Sequence, residues 1–307
     1  MVSILLISMR EAETVGQCLE TLLTGYQGEF EVLYSIPDQE TVEALQNKAR
    51  ELGVENKLRR SPLSESGKPM GKPTELNTLM DMAKGDFWVY CDGDTWFAPG
   101  IIDKLLAGFT DSDIYAVSGR PVSGDPRDNM MGYFGHLLAD AAHAKRMQEL
   151  SAESKSKDRF FPVSGYVFAS RRIDIRAPKD CLAEDAYFSY ALHNDGKRIG
   201  YAPEAIAYIR YPKNLKDYFK QKKRSAGGYT QLNSYGLVKP SENKRSLWKE
   251  AAWFMFPIKY AGNTKELYWS LMLFPIRLWL WVAIFWDQKV LKKDFAKTWV
   301  RVESTKQ

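Results

Sequence analysis

The sequence predicts an α/β protein in which helices surround a parallel sheet. Short apolar runs, typical of buried strands, alternate with segments whose apolar residues recur at helical spacing. One apolar run leads directly into Asp92-Gly93-Asp94. Strands that alternate with helices form parallel sheets, and such sheets bind ligands beyond the carboxyl ends of their strands. We therefore expect a site where these aspartates follow their strand.

The first 110 residues carry the alternation most clearly. Strands are predicted at residues 2–7, 30–36 and 86–91, and helices at 13–23, 39–52, 74–83 and 99–109. Residues 57–73 are polar and rich in proline, glycine and serine, so they are predicted to form a loop.

The second half mixes both kinds of element. Extended segments are predicted at residues 115–121, 163–170, 198–201 and 205–211, and helices at 128–151, 183–193 and 214–232. The last of these helices is expected to break at Gly227-Gly228, because glycine is a poor helix former.

Charge and cysteine content narrow the class of protein. The formal net charge of +5 on 307 residues suits an anionic small molecule or membrane surface. It does not demand nucleic acid, although basic clusters at 220–224 and 289–293 permit it. The three cysteines fit no zinc spacing and indicate free thiols in a reducing cytosol. Because the chain begins with a strand pattern, we expect no secretory signal.

Residues 268–286 form an apolar segment that contains one charged residue, Arg277, and one proline, Pro275. A helix of this length spans about 28 Å, close to the thickness of a bilayer core. Tryptophans within the segment and lysines after it favour a membrane interface. The segment therefore predicts an in-plane, re-entrant or short spanning membrane helix. A buried helix or an oligomer interface is the alternative.

Asp92 and Asp94 provide the chemistry expected at the end of the strand. Two carboxylates one residue apart can together meet a hard cation that also takes oxygens from a diphosphate. Gly93 between them would let a ligand approach the backbone. The pattern alone is common in turns, so its position after a buried strand carries the prediction.

A second acidic pair, Glu184-Asp185, opens a predicted helix. Such a pair can simply cap the helix and complement its dipole. A carboxylate held close to an acceptor hydroxyl can instead act as a general base. Both interpretations stay open on these residues alone.

Three further polar residues are candidates for binding phosphate or an acceptor. Lys72 precedes a predicted helix, whose N-terminal amides and positive charge suit phosphate. Gln221 and Arg224 lie three residues apart on one helical face, and arginine can bind a diphosphate bidentately. Each of them can equally be a solvent-facing polar residue.

Taken in order, these segments resemble the family 2 glycosyltransferases. The resemblance covers roughly residues 2–230 and rests on five segments in the expected order, none of them specific alone. The segments are Ile7-Ser8-Met9-Arg10-Glu11-Ala12-Glu13-Thr14, Gly71-Lys72-Pro73-Thr74-Glu75-Leu76-Asn77, Ala83-Lys84-Gly85-Asp86 leading to Asp92-Gly93-Asp94-Thr95, Glu184-Asp185, and residues 196–203 followed by Gln221 and Arg224.

The resemblance implies a GT-A Rossmann-like fold and transfer of a sugar with inversion. Asp92 and Asp94 would bind a divalent metal, Mn²⁺ or Mg²⁺, with Asp92 also near the donor. Asp185 would be the catalytic base. The remaining assignments place Lys72, Glu11 and Asp38 at the nucleotide-sugar donor, and Glu184, Gln221 and Arg224 at the acceptor or the diphosphate.

The sequence departs from the family pattern at two places. Ser225 stands where the family has a tryptophan that is typical of processive synthases, which puts polymerising activity in doubt. Residues 35–38 replace the usual paired aspartates with one, Asp38, so the donor base stays open. Residues 299–306 resemble the tail that follows the membrane segment in membrane-bound members.

These observations predict a GT-A catalytic domain at 1–235, with a nucleotide-binding half at 1–110 and an acceptor half at 111–235. A C-terminal hydrophobic helical, membrane-associating region is predicted at 236–307.

We expect a metal-dependent transferase on the cytoplasmic face of the membrane, acting on a lipid-linked or envelope glycan. Alternatives are the same chemistry on a soluble acceptor, such as a protein or modified nucleic-acid base, and a non-catalytic GT-A-like binding protein. A nucleotidyltransferase is disfavoured, since residues 8–16 lack a glycine-rich basic loop.

Overall fold

The computed structural model describes residues 1–151, 160–238, 254–291 and 305. Its strands are β1 (Val2–Ile7), β2 (Phe30–Ser35), β3 (Leu58–Arg60), β4 (Phe87–Asp92), β5 (Trp96–Phe97), β6 (Ile114–Ser123), β7 (Val167–Arg171) and β8 (Arg198–Ile209). Its helices are α1 (Ala12–Leu23), α2 (Gln39–Glu51), α3 (Lys72–Met82), α4 (Ile101–Ala107), α5 (Met130–Ser151), α6 (Glu184–Asn194), α7 (Leu215–Ser234), α8 (Met255–Tyr260) and α9 (Thr264–Phe285).

The eight strands form one sheet in the order β3-β2-β1-β4-β7-β6-β8-β5. Strands β3, β2, β1 and β4 are parallel, as the alternation of strands and helices predicts. Strand β7 then pairs antiparallel with β4, and β6 pairs antiparallel with β7. The sheet is therefore mixed, and β4, which ends in Asp92, lies at the change of direction.

The chain packs as two compact units. The first comprises Met1–Val122, Arg146–Asp180 and Glu184–Ile209, and contains nearly all of the sheet. Its core is made by apolar side chains of β1, β2 and β4 packed against α1, α2 and α4. These strands are buried along almost their whole length, which explains their continuous apolar runs.

The second unit comprises Ser123–Lys145, Cys181–Ala183 and Arg210–Gln307. Its core joins apolar residues of α5, α7 and α9, with Tyr133, Phe134 and Tyr218 among the most buried. The predicted ranges 1–235 and 236–307 divide the chain by function and remain a prediction. The two compact units have different boundaries from these ranges.

The expected break of α7 at Gly227-Gly228 is wrong. Both glycines are buried and the helix continues through them to Ser234. A Cβ on Gly228 would lie 2.7 Å from the Cβ of Ala183. The glycines therefore allow close packing of the helix within the second unit instead of ending it.

Several predicted boundaries also change. Residues 57–73 are not only loop, because they contain the edge strand β3, a 3-10 turn at Ser64–Ser66 and the first residues of α3. The extended segments 198–201 and 205–211 form the single strand β8. Strand β7 begins only at Val167, because serine hydroxyls bind the backbone amides of Val163 and Ser164 before it.

Part of the C-terminal prediction lies outside the described residues. Helix α9 covers most of the apolar segment 268–286 and is the one described helix long and apolar enough to cross a membrane, judged by length and composition alone. Lys292 and Lys293 of the basic cluster fall outside the described residues, as does the resembling tail 299–306 apart from Thr305.

Candidate active site

Lys72 links three elements of the first unit. It is the first residue of α3, and not a loop residue before the helix as the sequence predicts. Its Nζ lies 2.9 Å from Asp92 Oδ1 at the end of β4 and 2.7 Å from Glu184 Oε1 at the start of α6. Two predicted binding residues and one member of the second acidic pair therefore meet around one ammonium group.

The electrostatics of this cluster favour the charged lysine. Burial alone would lower the pKa of Lys72, but the negative charges of Asp92 and Glu184 outweigh burial and raise the pKa well above its usual value. The Glu184 side chain is only 11% exposed, whereas those of Lys72 and Asp92 are 30% and 27% exposed. The cluster is thus shielded on the Glu184 side and open to solvent on the Asp92 side.

Beside the lysine lies a pocket of about 270 Å³ that includes open solvent. It is lined by Leu5, Ile7, Lys72, Leu76, Tyr90, Cys91, Asp92, Gly165, Phe168, Glu184 and Asp185. Asp92 and Asp185 therefore face the same space, as the proposed chemistry requires.

Asp185 is positioned by its contact with Gly165. A Cβ on Gly165 would lie 2.9 Å from Asp185 Oδ2, so only glycine leaves the carboxylate in its present place. The backbone carbonyl of Asp185 accepts a hydrogen bond of 2.6 Å from Ser189 Oγ, which in turn accepts one from the amide of Val163. The start of α6 and the segment before β7 are therefore held together around the predicted base.

Gly93 is closely packed against the turn after β1. A Cβ at this position would lie 2.3 Å from Ser8 Oγ and 3.0 Å from Glu11 Oε2. Ser8 donates a 2.6 Å hydrogen bond to that carboxylate, and the amide of Gly93 binds the carbonyl of Ile7. A larger side chain at position 93 would therefore clash with the turn after β1, and the approach of a ligand to the Gly93 backbone stays a prediction.

Glu11 and Asp38 have structural partners in the same region. Glu11 is buried, and its backbone amide donates to Thr41 Oγ1. Asp38 is the N-cap of α2 and accepts hydrogen bonds from the amides of Thr41 and Arg10. Burial opposes its charge, but hydrogen bonds from Thr41 and Arg10 outweigh burial and lower the pKa of Asp38. Its predicted contact with a nucleobase stays a prediction.

Arg10 is the one non-glycine residue with a positive φ in the described chain, at 56°. Residues in this conformation are uncommon and occur often at functional sites. The strained turn carries the amide that binds Asp38, so it connects the ends of β1 and β2.

Sequence reasoning missed two residues that support Lys72. Asn77 on α3 exchanges two hydrogen bonds with the backbone of Ala177, donating at 2.8 Å and accepting at 3.0 Å. Glu75 is buried, accepts a hydrogen bond from Ser35 Oγ and binds the amide of Met70 at 3.2 Å. Both residues lie in the segment 71–77 that resembles the family. Their place in that segment was the signal that could have identified them.

Three further predicted residues are not among those that line the pocket. Asp94 follows Asp92 by two residues, is partly buried and does not line the pocket. Gln221 and Arg224 are partly exposed residues on α7 of the second unit. Within the described ranges, no group of three or more histidine, cysteine or acidic side chains is arranged to hold a metal.

Oxygen ligands for a cation are nevertheless present. The carboxylates of Asp92 and Glu184 already share one cation, the Lys72 ammonium, and carboxylate oxygens are the ligands that Mg²⁺ and Mn²⁺ prefer. The chemistry of these side chains thus fits a divalent ion.

Comparison with protein families decides the class of the chain. The model of the family described as "Glycosyltransferase like family 2" matches residues 2–228, about three quarters of the sequence. The chain belongs to this family. As a glycosyltransferase of GT-A type, it carries the predicted fold and enzyme class. No curated protein matches the chain significantly.

Solved structures of other glycosyltransferases share this fold. The mannosyltransferase PcManGT from Pyrobaculum calidifontis, in complex with GDP-Man and Mn²⁺, is 19% identical with a TM-score of 0.59, covering 94% of this chain and 88% of that one. S. aureus TarS 1-349 with UDP-GlcNAc is 16% identical with a TM-score of 0.51, covering 94% and 80%. Glucosyl-3-phosphoglycerate synthase from Mycobacterium tuberculosis, with Mn²⁺, UDP and phosphoglyceric acid, is 15% identical with a TM-score of 0.50, covering 78% and 80%.

Proposed function

We propose that this glycosyltransferase moves a sugar from a nucleotide-diphosphate donor to an acceptor hydroxyl, with inversion at the anomeric carbon. The observation that carries the proposal is that Asp92 and Asp185 line one pocket, with Lys72 between Asp92 and Glu184. This arrangement separates a cationic donor side from an acid able to accept a proton.

The donor side is assigned to Lys72, Asp92 and Asp94, with Glu11 and Asp38 toward the nucleotide. Asp92 and Asp94 would hold Mn²⁺ or Mg²⁺, which would offset the charge of the diphosphate. Structures of the same fold contain GDP-Man with Mn²⁺, and UDP with Mn²⁺, which supports this choice of donor and metal. The Lys72 ammonium would add a second positive charge for the departing diphosphate.

The acceptor side is assigned to Asp185. Its carboxylate would take the proton of the acceptor hydroxyl while that oxygen bonds to the anomeric carbon. The bond from this carbon to the diphosphate oxygen breaks in the same displacement, and the nucleotide diphosphate leaves with the electron pair. Glu184, Gln221 and Arg224 are proposed to position the acceptor or the diphosphate.

The acceptor is proposed to be a lipid-linked or envelope glycan, reached at the cytoplasmic face of the membrane. The support is the apolar helix α9, whose composition suits a membrane interface.

A screen of nucleotide sugars tests the donor assignment. A true donor binds the native state preferentially, and at a hundred times its Kd it stabilises the fold by about 2.7 kcal/mol. We expect one GDP- or UDP-sugar to raise the Tm only with Mn²⁺ or Mg²⁺, and Asp94→Ala to lose that rise. A parallel assay with the stabilising donor follows release of nucleotide diphosphate and the anomeric configuration of the product. If no nucleotide sugar raises the Tm with either metal, the proposal is wrong.

A further inference from the structure

The outward face of α9 is apolar without interruption. The exposed residues between positions 267 and 286 are Leu267, Tyr268, Leu271, Pro275, Leu278, Trp279, Val282, Phe285 and Trp286. None of them carries a charge, and the side chains of Tyr268, Trp279 and Phe285 are 60%, 65% and 60% exposed. Soluble monomers rarely expose a continuous apolar surface along a helix of 22 residues.

The opposite face of α9 is fixed inside the second unit. Leu273, Leu280 and Ile284 are buried in a cluster with residues of α5 and α7. Ser270 Oγ and the Tyr133 hydroxyl lie 2.6 Å apart, which joins α9 to α5 by a polar contact as well. The helix therefore has one face committed to protein and one face free of protein contacts among the described residues.

The acids of this region are neutralised on the protein side. Glu266 is buried and accepts two hydrogen bonds of 2.8 Å from Arg127. Asp287 is buried and lies 2.7 Å from Lys223 Nζ on α7. Because both carboxylates are withdrawn, they add no exposed negative charge beside the apolar face.

Arg277, the one charged residue within the apolar segment 268–286, also contacts protein. Arg277 donates a hydrogen bond of 3.3 Å to the hydroxyl of the buried Tyr218 on α7. A guanidinium facing a bilayer would be costly. Held by α7, it leaves the outward face apolar.

These contacts argue against a spanning helix. A span would carry α7, which bears Lys220, Lys222 and Lys223, into the hydrocarbon together with α9. Charged residues in that environment are costly unless they are paired or reach water. A helix lying in the plane of the interface avoids this cost, since only its outward face enters the lipid.

Charge and composition favour lipid over a second copy of the chain. The exposed charged residues described at 254–291 are Lys259 and Lys265, both positive, which suits an anionic headgroup surface. The outward face carries two tryptophans and a tyrosine, residues that prefer the membrane–water interface. A dimer of two such faces would place like charges near each other.

We propose that α9 is a one-sided membrane anchor that lies in the plane of an anionic bilayer, with its outward face inserted into a single leaflet. The partner is the lipid surface, and α5 and α7 hold the helix from the aqueous side.

Co-sedimentation of the full chain with vesicles tests this proposal. The vesicles contain either phosphatidylcholine alone or phosphatidylcholine with one third phosphatidylglycerol. We expect binding to the anionic vesicles and a loss of about a hundredfold in the partition coefficient for the double variant Leu278→Glu/Trp279→Glu. The control Leu52→Glu, which adds a charge at an exposed leucine of the first unit, should bind like the parent. Parent protein that stays in the supernatant with both vesicles, or a double variant that binds normally, would overturn the proposal.

Two further measurements separate the alternatives. Tryptophan quenching by lipids brominated near the carbonyl end should exceed quenching by lipids brominated near the methyl end, and the reverse order would indicate a span. Sedimentation velocity should show a monomer, whereas a dimer abolished by Trp279→Glu without vesicle binding would assign the face to a second copy. Nucleotide-sugar stabilisation without vesicles is measured in the same preparations, so failure of the anchor and failure of the proposed transfer remain distinct.

Discussion

The ammonium of Lys72 lies 2.7 Å from a carboxylate oxygen of Glu184, which joins the first residue of α3 to the first residue of α6. The same ammonium holds Asp92. Because Asp185 follows Glu184 directly, this ion pair also fixes the distance between the donor side and the proposed base.

Replacing Lys72 by methionine leaves the carboxylates of Asp92 and Glu184 facing each other without a cation. We expect a loss of about 1–3 kcal/mol in the free energy of unfolding, since the carboxylate of Glu184 is buried while that of Asp92 still reaches solvent. Donor affinity should fall as well. Urea unfolding and donor titration measure the two effects, with the exposed Lys68→Met as control. Equal stability of Lys72→Met and the parent would show that the ion pair contributes nothing.

The same pair predicts a stability change in alkali. The raised pKa of Lys72 means that the folded state holds this proton more tightly than the unfolded state. Its stabilisation is therefore complete below the unfolded pKa of about 10.4 and is lost as pH rises through the folded pKa. The difference in unfolding free energy between the parent and Lys72→Met should stay constant from about pH 7 to pH 9 and shrink above about pH 10.4. A difference that already shrinks near neutral pH would contradict this assignment.

Asp185→Asn removes the proposed base with little change in shape. Transfer should fall by about 10²–10⁴-fold, the usual contribution of a general base, while the affinity for the donor is retained. Single-turnover transfer and donor titration separate the two quantities. Asp180→Asn, at an exposed acid just before α6, should transfer normally. Normal turnover by Asp185→Asn would refute the role of this residue.

Gly165→Ala tests the position of that carboxylate without removing it. The new methyl group would lie 2.9 Å from Asp185 Oδ2, the far end of a flexible side chain. We expect transfer to fall about tenfold to a hundredfold through misplacement, with the unfolding free energy nearly unchanged. Unchanged transfer would mean that the present orientation of Asp185 is not the active one.

Two glycine-to-alanine variants separate packing from flexibility. Gly93→Ala places a methyl group 2.3 Å from Ser8 Oγ and should lower the unfolding free energy by about 1–3 kcal/mol. Gly16→Ala lies inside α1 with only ordinary contacts and should raise it by about 0.5–1 kcal/mol. Thermal unfolding of both variants gives the comparison, and a Gly93→Ala variant as stable as the parent would contradict the packing role of Gly93.

The sequence predicts the parallel half of the sheet well. Strands β1, β2 and β4 are buried on both faces, and this burial produces the continuous apolar runs by which they are predicted. It does not predict that β6 and β7 run antiparallel, since residue patterns do not encode strand direction. The edge strands β3 and β5 are too short to leave a pattern.

The sequence predicts only part of the site. Asp92 and Asp185 are typical residue types at strand and helix ends, so their common pocket could be expected. The sharing of Lys72 by Asp92 and Glu184 depends on contacts between distant segments, which periodicity does not report. Gly93 shows the limit most clearly, because its close packing against Ser8 cannot be seen in the sequence.

The paired hydrogen bonds between Asn77 and Ala177 restrict how the pocket can open. They connect α3, which carries Lys72, to the backbone segment that leads to α6, which carries Glu184. The two helices that bear the ion pair are therefore held together. Under the proposed function, we therefore expect admission of a diphosphate to begin with rotation of the long lysine side chain and not with separation of the two helices.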